Sequence, residues 1–254
     1  MSYQNIVIQK KQMKISICMA TYNGYQYVKN QLQSILNQID EEDEIIIVDD
    51  ASIDNTLFII KEFQDSRIKL IENKINLGVL KTFESAISNS TGDIIFLSDQ
   101  DDVWISNKVE KILEVFQKHP DITLVLSDAQ IIDSEGRITA DSFFKIRGKF
   151  VANPLSNIIK NKYHGCTLAF RREMLEVFLP FPADIPMHDM WMGIVNAIYG
   201  KVFYIGEPLI QHRRHDNNTS RGHLGHAGIV QMIKWRLTLV KDIINLLIKH
   251  RIKI

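Results

Sequence analysis

Cysteine is scarce in this sequence: Cys18 and Cys166 are the only two among 254 residues. Both sit in apolar, strand-like runs, which argues against a disulfide framework and for a reducing compartment. Net charge is missing too, because 30 Lys+Arg balance 30 Asp+Glu. That balance speaks against a nucleic-acid partner. No uninterrupted apolar run reaches eighteen residues, so no transmembrane helix is expected. Met1 to Met13 is polar and lacks the apolar centre of a signal peptide, and the expectation is a cytoplasmic protein. Neither Gly-x-Gly-x-x-Gly nor Gly-x-x-x-x-Gly-Lys-Ser/Thr occurs, which disfavours a dinucleotide dehydrogenase or a P-loop enzyme. There is no internal repeat and no low-complexity linker.

What is present is a strong alternation of short apolar runs with longer periodic ones. Ile15 to Ala20, Glu44 to Val48, Ile68 to Ile71 and Ile94 to Leu97 read as strands. The continuous β-branched run Ile45-Ile46-Ile47-Val48 marks a strand buried on both faces. Between the strands, Tyr27, Val28, Leu32, Ile35 and Leu36 recur at helical spacing, as do Leu57, Ile60 and Phe63 after a cap at Asp54-Asn55-Thr56. Helices follow over Leu80 to Ile87 and over Asn107 to His119, before Pro120. This rhythm predicts an α/β fold with a mixed, mainly parallel, Rossmann-like sheet flanked by helices. After Pro120 the pattern loosens into strand pieces at Thr123 to Leu126, Ala129 to Ile132, Thr167 to Phe170 and Lys201 to Ile205, with a helix over Met187 to Tyr199. The expected organisation is an N-terminal extension (1–13), one domain (14–225) with halves 14–120 and 121–225, and a C-terminal basic amphipathic helix (226–254).

In an open parallel sheet, ligands bind beyond the carboxyl ends of the strands. Those ends carry Ala20-Thr21-Tyr22-Asn23-Gly24, Asp49-Asp50-Ala51-Ser52 and Ser98-Asp99-Gln100-Asp101-Asp102. Asp49-Asp50 can be read as a turn or cap, or as one wall of a crevice shared with the second acidic group. Three carboxylates within four residues repel one another, and a hard divalent cation bound with a diphosphate relieves them. The run Gln211-His212-Arg213-Arg214-His215 is either a solvated basic loop or a counter-charge for such a diphosphate. Asp189, in His188-Asp189-Met190-Trp191, can be an N-terminal helix cap or a general base.

These segments, taken in order, resemble glycosyltransferase family 2. The resemblance is carried by Ala20-Thr21-Tyr22-Asn23, Ile47-Val48-Asp49-Asp50-Ala51-Ser52, Asn76-Leu77-Gly78 and Asp99-Gln100-Asp101-Asp102-Val103-Trp104. Gly165-Cys166-Thr167, His188-Asp189 and Arg213-Arg214-His215-Asp216-Asn217-Asn218 continue it. It implies a GT-A fold and an inverting transfer of one sugar from a nucleoside-diphosphate sugar to a glycan or lipid-linked saccharide. Ala20, Tyr22, Asp49, Asn76, Gly78, Asp99, Gln100 and Arg213 would then lie along the donor, with Tyr22 stacking on a pyrimidine and Asp49 bonding its ring nitrogen. Asp99, Asp101 and His215 would hold Mg²⁺ or Mn²⁺, with Asp101 the direct ligand and Asp102 positioning the following loop. Trp104, Gly165, Cys166 and His188 would face the acceptor, and Asp189 would be the base. The stretch Leu97 to Trp104, with Asn76-Leu77-Gly78-Val79, is similar to bacterial rhamnosyltransferases of surface polysaccharide synthesis, implying dTDP-rhamnose or a UDP-sugar as donor. Gln231-Met232-Ile233-Lys234-Trp235 only loosely echoes the Gln-x-x-Arg-Trp motif of processive synthases. A sugar nucleotidyltransferase, or a silent nucleotide-sugar-binding scaffold, remain rival readings.

In the tail, Ile229, Ile233, Leu237, Val240, Ile244, Leu247 and Ile248 form an apolar stripe, opposite Lys234, Thr238, Lys241, Asn245 and Lys249. Such a helix packs on its own domain or on a second copy in a homo-oligomer, or docks peripherally on an anionic membrane face.

Overall fold

In the computed structural model, which describes residues 13–215 and 228–251, the β-branched runs pair side by side in one mixed sheet. Strands β1 (Ile15–Thr21), β2 (Glu44–Asp49), β3 (Ile68–Glu72) and β4 (Ile94–Asp99) run parallel in the spatial order β3-β2-β1-β4. The periodic segments between them form α1 (Val28–Leu36), α2 (Thr56–Glu62) and α3 (Val79–Ser88). Every residue of β2 is buried, as a parallel strand covered on both faces must be. The acids of β2 and β4 are not on adjacent strands. β1 lies between them, with Thr21 beside Asp49 on one side and Ala20 beside Asp99 on the other. Strand order reverses between β1 and β4, so the ligand crevice opens beyond those two ends.

The chain continues through β5 (Val103–Trp104) and α4 (Lys108–Lys118) into β6 (Leu124–Ile132). Where the sequence suggests two strand pieces, β6 is one unbroken strand. After β7 (Ile138–Ala140), α5 (Phe143–Arg147) and α6 (Pro154–Ile159), a 3₁₀ turn at Gly165–Thr167 leads into β8 (Leu168–Arg171). α7 (Leu175–Phe178), α8 (His188–Tyr199) and β9 (Val202–Arg213) complete the domain. β8 is antiparallel to β4 and β6, and β9 runs parallel to β6 and antiparallel to β5, so one sheet spans both halves.

β9 is longer than its sequence suggests. Its partners jump from Ser127↔Ile205 to Asp128↔Pro208, so Gly206 and Glu207 are taken up in a bulge and pairing resumes to Ile132↔Arg213. The basic run Gln211-His212-Arg213 is therefore strand, not loop, and it is delivered to the carboxyl end of β4.

The C-terminal helix, α9 (Ile229–Arg251), packs on the domain by a face the sequence pattern does not single out. Leu239, Ile243 and Leu246 are buried, Arg236 donates to the Ile159 carbonyl at 2.8 Å, and His250 meets the Tyr199 ring at 5.2 Å. Ile233, Leu237, Val240, Ile244, Leu247 and Ile248 are instead 37–66% exposed. Among the described residues no helix is long and apolar enough to cross a membrane. The expected extension at 1–13 (apart from Met13), the Asp216-Asn217-Asn218 segment and residues 252–254 lie outside the described residues.

Candidate active site

The end of β4 is built by α1. Buried Gln31 donates to Ser98 Oγ at 2.8 Å and to the Asp99 carbonyl at 3.1 Å, which fixes where the acidic turn leaves the sheet. Gln100 then clamps the β1–α1 loop. Its Oε1 accepts from Tyr22 N–H at 2.9 Å, and its Nε2 donates to the Tyr22 carbonyl at 3.0 Å. The Tyr22 ring stays 46% exposed above the crevice, a surface on which a planar base can stack.

The three acids of this turn sit in different surroundings. Loss of solvent, with Asp102 and Asp101 close by, pushes the Asp99 carboxyl well above the carboxylate range. Asp102 is fully buried, yet His212 and the Arg213 N–H hold it down at about 2 against that desolvation. Its Oδ1 lies 3.0 Å from His212 Nδ1 and accepts from Arg213 N–H at 2.9 Å. An ionised carboxylate only accepts, so the imidazole proton sits on Nδ1. Asp102 thus ties the acidic turn to β9, 110 residues away, rather than to the loop that follows it. Asp101 meets His215 instead, with Oδ2 2.8 Å from Nε2.

The metal trio read from the sequence, Asp99, Asp101 and His215, is not one tight cluster. Asp101 pairs with His215, whereas Asp99 groups with Asp102 and Cys166. The donors still fit a hard divalent cation. Asp102 Oδ2 is buried with no nitrogen or oxygen donor, the Cys166 thiol being its neighbour, and Asp99 is driven toward protonation by its own neighbours. A cation would relieve both.

Arg213 is placed differently from the sequence reading. It is buried, its Nε donates to the Asp101 carbonyl at 2.8 Å and its Nη1 to the Asp133 carbonyl at 3.0 Å, and it stacks 4.6 Å over Tyr27. It braces the backbone of the acidic turn because β9 carries it inward instead of into a loop over the diphosphate. Trp104 is also corrected. It is 3% exposed, packed against Phe96 with Lys108 Nζ 4.3 Å over its ring, because pairing of β5 with β9 holds it in the core and leaves little of its surface open in this arrangement.

Asp49 and Asp50 are occupied by the fold. Asp49 is fully buried, accepting from Thr21 Oγ1, Ser52 N–H and Ser52 Oγ at 2.6–2.9 Å, which leaves no oxygen exposed to a nucleobase in this arrangement. Asp50 accepts from Asn73 Nδ2, Leu77 N–H and Gly78 N–H, each at 2.8 Å. Gly78 itself has φ +84°, a conformation that suits glycine at this turn, and Asn76 beside it is exposed.

On the other wall, Asp189 opens α8 and is buried. No side chain caps that helix, and Asp189 does not serve as its N-cap. Burial raises its carboxyl to about 6, although hydrogen bonds from Met190 N–H, Gly165 N–H and Asn161 oppose the rise. Its neighbour His188 stacks on Phe83 at 4.2 Å, buried with both ring nitrogens unpartnered, and burial lowers it to about 3. Cys166 is fully buried as well, so neither it nor His188 presents a surface to an acceptor in this arrangement. The 3₁₀ turn joins the two walls. Gly165 bonds Asp189, and Cys166 lies within 4.8 Å of ligand atoms of Asp99 and Asp102.

Sequence reasoning misses Asn161, Tyr27 and Lys108. Lys108 is fully buried, donates to the Cys166 carbonyl at 2.7 Å, and is lowered to about 8 by burial against the pull of Cys166, Asp102 and Asp99. A signal for it exists: Lys108 shares the i, i+4, i+8 stripe with Ile112 and Phe116, where an apolar residue belongs.

Residues 16–179 match the pattern described as "Glycosyl transferase family 2". The chain belongs to glycosyltransferase family 2. It is 33% identical over 187 residues to WfgD of Escherichia coli, a UDP-Glc:alpha-D-GlcNAc-diphosphoundecaprenol beta-1,3-glucosyltransferase, covering 72% of this chain and 70% of that protein. It is 30% identical over 222 residues to the dTDP-rhamnosyl transferase RfbG of Shigella flexneri, covering 79% and 72%. An uncharacterised glycosyltransferase of Nostoc sp. is 33% identical over 218 residues, covering 81% of this chain and 66% of its own length. The chain thus spans about two thirds of the length of these relatives. Among solved structures, S. aureus TarS 1–349 in complex with UDP-GlcNAc superposes with a TM-score of 0.68 at 19% identity, over 85% of this chain and 62% of that one. The mannosyltransferase PcManGT of Pyrobaculum calidifontis, in complex with GDP-Man and Mn²⁺, reaches 0.60 at 19% identity over 85% and 60%. These likenesses show the GT-A fold.

Proposed function

We propose that the chain is an inverting, cation-dependent glycosyltransferase that moves one sugar from a nucleoside-diphosphate sugar to a hydroxyl of a glycan or lipid-linked saccharide. The observation that carries this is the 3₁₀ turn. Through Gly165 and Cys166 it sets a carboxyl raised to about 6 beside an acidic turn, close enough that Asp189 adds to the repulsion on Asp99. One side supplies a proton acceptor and the other a place for a leaving diphosphate.

In this account Asp189, ionised, takes the proton of the acceptor hydroxyl. The oxygen attacks the anomeric carbon from the face opposite the diphosphate, the bond to the diphosphate oxygen breaks, and configuration inverts. The Asp101–His215 pair, and Asp99 from its own group with Asp102, would supply ligands to Mg²⁺ or Mn²⁺, whose charge offsets that growing on the departing diphosphate. Tyr22 offers its exposed ring to the nucleobase. WfgD uses a UDP-sugar and RfbG a dTDP-sugar, so the donor proposed here is a pyrimidine nucleotide sugar, with dTDP-rhamnose the first candidate. Transfer and hydrolysis assays with dTDP-rhamnose, UDP-glucose and UDP-GlcNAc, with and without Mn²⁺, test this. Turnover with one donor and loss of it in chelator is the expected result, and no turnover with any donor counts against it.

WfgD acts on a diphosphoundecaprenol-linked sugar, and a long apolar polyprenyl chain partitions into lipid. The exposed stripe of α9 is flanked by exposed Lys234 and Lys241, a charge pattern suited to an anionic lipid surface. We place the cytoplasmic leaflet as its partner.

A further inference from the structure

Cys166 has a second set of neighbours besides the acids. One ring nitrogen of His164, one of His212 and the Cys166 Sγ all lie within 4.8 Å of one another. A tetrahedral zinc with bonds of ~2.0–2.3 Å holds its ligand atoms ~3.3–3.8 Å apart, so closing by about 1 Å would complete such a set.

Several independent features point to a ligand there. Nε2 of His164 is buried with no hydrogen-bond partner, a state polar atoms in folded proteins rarely keep. Nδ1 of His212 is engaged by the Asp102 carboxylate, so Nε2 is the nitrogen left for a cation, which would replace any proton it carries. A carboxylate behind the ring is the arrangement that orients metal-binding imidazoles. The His164 ring is held by stacking on Phe143 at 4.8 Å, and it meets His212 at 4.4 Å with the planes at 86°. Cys166 has no exposed surface and His212 very little, so water competes weakly. Arg147 and Arg214 oppose a dication near His164, while Asp99, Asp101 and Asp102 favour one near His212.

We propose that His164, Cys166 and His212 form a second cation site, of zinc class, whose ligands differ from the Asp101–His215 pair. Two imidazoles and a thiolate select a borderline-soft metal, whereas carboxylates select a hard one. Binding releases the thiol proton, and any proton on His212 Nε2, to solvent as the sulfur–metal and nitrogen–metal bonds form. An ion there clamps the 3₁₀ turn that bonds Asp189 to the strand that carries His212 and Arg213.

Titration of the full, chelator-stripped chain with Co²⁺ tests this by absorption. The expected result is a thiolate-to-cobalt charge-transfer band that saturates near one equivalent and is bleached by Zn²⁺. Cys166→Ser should abolish the band, while Cys18→Ser and Asp101→Ala should keep it. His164→Ala, at a half-buried position, should weaken Co²⁺ binding at least ~10-fold and carries the test if Cys166→Ser fails to fold. Absence of the band in the unaltered chain, its survival in Cys166→Ser, its loss in Asp101→Ala, or unchanged affinity in His164→Ala would overturn the proposal. The readout is a sulfur–metal band rather than turnover, so it is independent of whether sugar is transferred.

Discussion

Asn161 and Asp189 are joined by a 3.3 Å hydrogen bond, from the side-chain amide to a carboxylate oxygen, across 28 residues of chain. Asn161 also reads its own turn, accepting from Tyr163 N–H at 3.0 Å and donating to the Tyr163 carbonyl at 3.2 Å. The amide therefore has a fixed orientation and favours the ionised form of Asp189. Asn161→Ala should raise the Asp189 pKa further and move the acid limb of kcat/KM upward by about half to one pH unit. Activity should fall more at pH 6 than at pH 8, and a uniform loss across pH would assign Asn161 a purely structural part.

For the unaltered protein the acid limb should lie near pH 6, because the base works only when ionised and burial holds its carboxyl at about 6. The same shift has a stability consequence. A carboxyl raised in the folded state stabilises the fold fully below its ordinary pKa, and that contribution is lost as pH rises through the folded value. Asp189→Asn removes the buried charge, so above pH 6 it should stabilise the protein by about 2–3 kcal/mol and near pH 4 by little. Urea unfolding at the two pH values measures this.

Gly193 shows how the second half is closed around this base. A Cβ there would sit 2.2 Å from the Tyr163 ring, which is buried beneath α8. Gly193→Ala should therefore destabilise by about 1–3 kcal/mol through overpacking, outweighing the ~1 kcal/mol that alanine gains in a helix. A rise in Tm would contradict this packing.

Asp101 and His215 make the most direct test of the cation. Asp101→Ala should abolish Mn²⁺-dependent donor binding, and His215→Ala should weaken it by about 10-fold or more. Calorimetric titration of donor with and without Mn²⁺ distinguishes this from a fold defect, which would also remove metal-independent binding.

The first half of the fold was legible because its strands are buried on both faces and its helices are amphipathic, so period and composition agree. The acidic turn was legible because repulsion between adjacent carboxylates is a local property. Which acids the fold itself occupies was not, since Asp49 depends on Thr21 and Ser52, and Asp50 on Asn73, Leu77 and Gly78. Arg213 was misread because Gly206 looks like a strand end, while the bulge against β6 lets β9 continue. Residues 142–163 show no clear periodicity, and Asn161 gains its meaning only when α8 is placed beside it. In α9, both faces are apolar enough to bury, and packing selected the one with Leu239, Ile243 and Leu246.

The other face of α9 is expected to hold lipid. Flotation with vesicles rich in anionic lipid should recover the chain, and Leu237→Glu with Ile244→Glu should abolish recovery without changing Tm, since both side chains are exposed. Recovery unchanged by these substitutions, or a concentration-dependent dimer that they dissolve, would assign the face to another partner.

The central claim is that Asp189 is the base in a transfer from a nucleotide sugar. Turnover and donor affinity of Asp189→Asn, measured side by side at pH 8 with Mn²⁺, test it most directly. Donor binding should stay within about twofold of the unaltered chain while turnover falls on the order of 10²–10⁴-fold. Transfer at a near-unaltered rate would contradict it.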